Sequence, residues 1–169
     1  MLAPNHSPAG ASLTHLIIKT FRLNGLFLAA ADLITVGSGL TAARWQVIGA
    51  VLRQPLSVAD VARAMGLTRQ SVQRLADVLV TEGLCEYRDN PAHRRAKLLA
   101  PSAAGWAALA QIHPIQADFV NRVGAAVGAG ALVQANATVD RLLDVLASPE
   151  GRVNAEPGAR KQRRGAKRR

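Results

Sequence analysis

Residues 58–75 read Val-Ala-Asp-Val-Ala-Arg-Ala-Met-Gly-Leu-Thr-Arg-Gln-Ser-Val-Gln-Arg-Leu, and the order of small, apolar and polar residues in that run leaves few ways to fold it. Ala62 is small where a second helix would cross close above the first, and Gly66, four residues on, supplies a turn with φ > 0 that most side chains resist. Val61, Met65, Leu67, Val72 and Leu75 then share one apolar side. Ser57 and Asp60 stand in capping-box spacing at the start of the first segment, and Thr68 is a good N-cap for the second. The run predicts two short helices meeting at a tight turn, a helix-turn-helix. A plain helical hairpin with a polar outer face is the alternative, and the number of agreeing positions favours the former.

The outer face of the second helix carries Thr68, Arg69, Gln70, Ser71, Gln73 and Arg74. None is acidic, and all are of types that reach base edges and phosphates. Downstream, Gly83 is placed to end the helix. Leu84–Arg88 and Ala96–Ala100 are short strand candidates around a loop with turn chemistry at Asp89, Asn90 and Pro91. A hairpin there is a wing whose tip holds His93, Arg94 and Arg95, with Lys97 on the return strand. Such a cationic finger suits a narrow, electronegative minor groove; a merely solvated hairpin tip is the plainer alternative.

The series of motifs resembles the MarR family of bacterial winged helix-turn-helix regulators. The resemblance is carried by Leu40-Thr41-Ala42-Ala43-Arg44-Trp45-Gln46-Val47, by Met65–Arg74, by Glu82-Gly83-Leu84 and by Asn90–Leu98, and it spans about residues 13 to 148. Where the family usually has an acidic residue just before the wing arginines this chain has His93. Where the family has Leu-Thr-x-x-Gly it has Ala100-Pro101-Ser102-Ala103-Ala104-Gly105. Pro101 and Ser102 still suit a helix start.

The fold expected is mainly α with a small β-wing, a winged helix-turn-helix flanked by N- and C-terminal dimerisation helices. Its expected parts are a flexible lead-in over 1–12, the winged domain over 13–150 and a disordered basic tail over 151–169. Within the domain, the DNA-binding core covers about 41–100 and the dimerisation helices about 13–36 and 102–148. The apolar residues between Leu13 and Val36 occupy more than one helix face, which suits a helix buried on several sides. Two further candidates cover 102 to about 126, which His113-Pro114 should bend or restart, and 129–147. Packing of these helices against a second copy gives a homodimer that sets two reading helices one turn apart on a roughly palindromic duplex. An intrachain helical core is the alternative.

The chain has 21 Lys and Arg against 11 Asp and Glu, net +10. Residues 152–169 contribute eight basic residues against Glu156, so the tail carries most of the excess and the folded part is only mildly basic. Such a tail adds non-specific phosphate affinity or solubility alone. From Leu23 to Ala43 the sole charge is Asp32. The stretch has the length of a membrane span, but that charge near its centre and its several Gly and Thr argue against insertion. No membrane partner is expected, and the protein reads as cytoplasmic.

Enzyme chemistry is not expected. One cysteine permits no paired-thiol zinc motif, and His6, His15, His93 and His113 share no ligand spacing. No nucleophile, phosphate-loop or dinucleotide motif appears, and no cofactor is implied. Cys85, at the start of a wing strand, reads as a packing residue rather than a redox sensor. The resemblance implies a repressor released by a small, often aromatic or phenolic effector. His15, Phe21, Arg44 and Trp45 have suitable chemistry but read better as core or surface residues. Two other function classes fit the sequence: a winged module binding nucleic acid non-specifically through the tail, and one serving protein assembly.

Overall fold

The computed structural model describes residues 6–151, which fall into two compact units, one up to Asp118 and one from Phe119 onward. Of the lead-in expected over residues 1–12, residues 1–5 lie outside the described residues, as does the tail expected over 151–169 from residue 152 onward.

The first unit opens with α1 (Pro8–Ile34). It begins five residues before the apolar pattern does, because Ser7 accepts a hydrogen bond from the Gly10 amide at 3.1 Å and Pro8 follows at the first helical position. Thr35 ends it, and Gly37 and Gly39, both left-handed at φ 78° and 76°, turn the chain. α2 (Ala42–Ala50), capped by Thr41, leads to α3 (Val58–Met65) and α4 (Arg69–Thr81).

The helix-turn-helix is built as its sequence predicts. Ser57 accepts from the Asp60 amide at 3.2 Å and donates to Asp60 Oδ2 at 2.6 Å. Gly66 terminates α3 at φ 63°, and Thr68 accepts from the Ser71 amide at 3.1 Å. Val61, Ala62 and Val72 are buried, while Met65, Leu67 and Leu75 are half-buried. Ala76 and Leu79 complete the inner face of α4, and Val47, Ile48 and Val51 bring α2 into the same core.

Gly83, at φ 74°, reverses the chain after α4. The wing is β2 (Cys85–Arg88) and β3 (Leu98–Pro101), antiparallel, with Tyr87 opposite Leu99. A third strand that the sequence reading did not anticipate, β1 (Leu56–Ser57), pairs on the other edge of β3, giving the order β1-β3-β2. It is only two residues long, so no alternation can announce it. Leu99, on the central strand, is fully buried.

Ser102 then starts α5 (Ala103–Val127): its hydroxyl accepts from the Gly105 amide at 3.0 Å and donates to the Gly83 carbonyl. Gly105, Ala108, Leu109 and Ile112 form its buried stripe. The helix does not restart at Pro114 but runs through it; proline's fixed φ is helical, and the loss is one backbone hydrogen bond.

The second unit holds the end of α5 and α6 (Ala129–Ala147), joined at Gly128 with φ 91°. A short 3-10 turn covers Pro149–Gly151. No residue of α6 is buried. Among the described residues no helix is long and apolar enough to cross a membrane.

Candidate nucleic-acid interface

The cap that starts α4 also fixes its first polar side chains. Thr68 Oγ1 donates to Ser71 Oγ at 2.8 Å, so both hydroxyls serve the helix start. Arg69, Gln70 and Arg74 are exposed, whereas Ser71 and Gln73 are half-buried. Positions 69, 73 and 77 follow one another at one-turn intervals along the edge of α4 nearest the wing, and 70 and 74 form the next row.

Gln73 is tied down. Its Nε2 donates to Asp77 Oδ1 at 2.9 Å and to Tyr87 Oη on β2 at 2.9 Å, and Tyr87 Oη donates to Asp77 Oδ1 at 2.8 Å. Burial, with the hydrogen bond and negative charge of Asp77, pushes the Tyr87 phenol up to about 12. The sequence reading placed Gln73 among the readers but did not find this link. The Gln-to-Asp spacing of four on a helix was its one visible signal.

The wing tip is shaped by its own turns. Asn90 Oδ1 accepts from the Ala92 amide at 3.0 Å, and the Ala96 amide donates to the His93 carbonyl at 2.9 Å. His93, Arg94, Arg95 and Lys97 are all exposed there. Between the wing and the start of α4 lies a cleft of about 290 Å³ whose lining includes Arg69, Gln73, Tyr87, Arg95 and Lys97. Three cations therefore border one concavity.

The described ion pairs lie elsewhere. Arg44 Nη1 meets Glu82 Oε2 at 2.8 Å, Arg63 meets Asp60 at 2.9 Å, and Arg88 meets Glu86 at 2.7 Å. None uses Arg69, Arg74, Arg94, Arg95 or Lys97, whose charges face solvent. The Ser57 hydroxyl and then Arg63 hold the Asp60 carboxyl below its usual range. Arg44, bound to Glu82, joins the start of α2 to the end of α4.

Of the other candidates, His15 and Phe21 are exposed on α1 and Trp45 is half-buried on α2. Cys85 is buried, and desolvation pushes its thiol up to about 11, which disfavours the reactive thiolate.

An arrangement of this kind matches known proteins at several levels. An uncharacterised protein of Mycobacterium tuberculosis is 35% identical over 134 residues, covering 79% of this chain and 94% of that one. Among solved structures, a mutant MarR of E. coli complexed with operator DNA superposes with a TM-score of 0.66 at 17% identity, over 81% of this chain and 99% of that one. CouR of Rhodococcus jostii RHA1 bound to p-coumaroyl-CoA superposes with a TM-score of 0.61 at 24% identity, over 72% and 87%. These likenesses show a shared winged-helix fold. The MarR family profile matches residues 38–96, which take in α2, the helix-turn-helix and the wing up to Ala96. With its helix-turn-helix, three-stranded wing and long flanking helices, the chain belongs to the MarR family of transcription regulators.

Proposed function

We propose that the protein is a sequence-specific double-stranded DNA-binding regulator that acts as a homodimeric repressor and is released by a small-molecule effector. The observation that carries this reading is the unneutralised cationic surface shared by α4 and the wing, where Arg69, Arg74, Arg94, Arg95 and Lys97 face solvent beside the polar Gln70. α4 enters the major groove with Thr68 to Arg74 toward the bases and their phosphates, and Arg94 and Arg95, with His93 beside them, reach the adjacent minor groove.

Dimerisation is supported by apolar side chains that the single chain leaves in water. Phe21 is 74% and Leu33 75% exposed on α1, and Leu143 and Leu146 are about 60% exposed on α6. Patches of this kind mark interaction sites. A two-fold dimer presents two reading helices about one turn apart, matching a roughly palindromic site in cytoplasmic DNA. CouR binds p-coumaroyl-CoA, and an aromatic or phenolic effector of that general class, favouring one spacing of the reading heads, would release the operator by differential affinity.

Selection of bound duplexes from a random DNA pool, with the full chain and with a chain lacking 152–169, tests the reading. A two-fold symmetric motif recovered by both forms is the expected result. A motif, or all binding, that disappears with the basic segment assigns the affinity to that segment instead. A folded dimer without sequence preference assigns the protein to assembly.

A further inference from the structure

The phenol of Tyr87 ties the wing to the reading helix. Tyr87 Oη on β2 donates to Asp77 Oδ1 on α4 at 2.8 Å, and Gln73 Nε2 lies 2.9 Å from that phenol oxygen. Among the described residues these are the side-chain hydrogen bonds that join α4 to the wing strands. Their place in the wing gives them leverage. β2 is an edge strand in the order β1-β3-β2, so the backbone ladder holds it on one side only. That ladder ends where Arg88 pairs with Leu98, one residue beyond Tyr87. Residues 89–97, which carry His93, Arg94, Arg95 and Lys97, are shaped by turns of their own. The tie to α4 therefore sits at the root of the cationic tip. Gln73 and Tyr87 also line the cleft bordered by Arg69 of α4 and by Arg95 and Lys97 of the wing.

A hydrogen bond from a phenol to a carboxylate is charge-assisted and stronger than a neutral one. Burial, then the hydrogen bond and charge of Asp77, push the phenol up to about 12, so the donor keeps its proton across the neutral range. Without such a bond, a carboxylate at this edge of α4 would only repel the phosphates of a bound duplex. We propose that Asp77 and Tyr87 are positioning residues that fix the wing against α4, so that the wing is already aligned with the minor groove when α4 enters the major groove. This rests on the DNA reading proposed above. Preorganisation of this kind raises affinity by removing an ordering cost, without adding a contact to the duplex.

The signature is non-additivity, measured by fluorescence anisotropy on the duplex that the wild type selects, with full-length variants that circular dichroism shows to be folded. Tyr87→Phe keeps the ring and removes the donor, and should weaken binding about fivefold to tenfold. Arg94→Ala with Arg95→Ala should cost at least about threefold less in the Tyr87→Phe background than in the wild type, because a wing that is not held contributes less. Arg74→Ala, on the helix itself, should cost about the same in both. Asp77→Asn and Asp77→Ala remove the same charge, but asparagine keeps a carbonyl acceptor for the phenol. Asp77→Asn should therefore bind at least about threefold more tightly than Asp77→Ala, and this pair carries the test where Tyr87→Phe does not fold. Wing arginines that cost as much without the Tyr87 hydroxyl as with it overturn the inference; that is the result if the phenol touches DNA directly or acts on folding alone. Equal affinities of Asp77→Asn and Asp77→Ala overturn it as well. Failure of the wild type to select any motif overturns the underlying DNA reading, and the inference with it.

Discussion

Gly66 and Gly105 are both constrained to be glycine, for opposite reasons. At Gly66 the surroundings are open and the backbone is left-handed at φ 63°, so Gly66→Ala should cost about 1–2 kcal/mol through conformation alone. At Gly105 the backbone is helical, but a Cβ would run into the Leu84 carbonyl where α5 docks on the turn after α4. Gly105→Ala should cost more, about 3 kcal/mol, because backbone rather than a flexible side chain must move. Urea denaturation of the two variants checks the order. Of these two, Gly66 was legible in the sequence and the role of Gly105 was not: a helix end is a local event, whereas a close approach depends on a partner on another element. Gln73 follows the same rule, since its side chain is held by Tyr87, fourteen residues away. Cys85 and Tyr87 give a further prediction. Their folded values, about 11 and about 12, lie above the ordinary 9.0 and 10.0, so the unfolded chain releases these protons first. The contribution of these two groups to stability is complete below about pH 9 and is lost as pH rises through about 11 and then about 12. Cys85→Ala should flatten the first part of that fall, read as urea midpoints at about pH 8 and about pH 10.5.

At the scale of elements, the cap and turn chemistry of the helix-turn-helix carried over from sequence to structure almost residue by residue, because Ser57, Gly66, Thr68 and Gly83 act on the backbone next to them. The elements that were harder to read are those whose existence or extent depends on others. β1 forms only because β3 offers it an edge, and α5 continues through Pro114 because one missing hydrogen bond does not outweigh the helix on either side of it. The division of labour between α4 and the wing yields a test at this scale. Arg94 and Arg95 stand on a turn-built tip suited to phosphates and a minor groove, so replacing both by Ala should weaken binding to all sequences and lower the slope of log affinity against log salt by about 2. Arg74, on the exposed row of α4, should behave differently: Arg74→Ala should reduce discrimination between cognate and unrelated duplexes by about tenfold while changing the salt slope by no more than about 1. Fluorescence anisotropy over a range of salt concentrations separates the two effects. Equal losses on all duplexes for both variants would remove α4 from the role of reader.

For the whole molecule, the decisive quantity is how much apolar surface the single chain leaves uncovered. α1 buries only Ile34 of its twenty-seven residues, and α6 buries none, although α1 is rich in Leu, Ile and Phe and α6 in Leu and Val. The apolar pattern was visible in the sequence as residues on more than one helix face; what the sequence does not carry is whether such faces meet within one chain or between two. Water-exposed Phe21 and Leu33 favour the second, since each apolar side chain buried at an interface gains about 1.5–3 kcal/mol, and the winged core is already closed without them. Charge placed there should therefore act on association rather than on folding. Phe21→Glu together with Leu33→Glu should leave the helical content and the urea midpoint of the winged core nearly unchanged while converting the protein to a monomer in sedimentation equilibrium. The monomer should keep most of its affinity for a single half-site but lose the avidity of two linked reading heads, about a hundredfold on a duplex carrying both half-sites. A double variant that stays dimeric would place the contact on other surfaces. One that unfolds would show that α1 closes an intrachain core, and the geometry of two reading helices one turn apart would then have to come from another part of the chain.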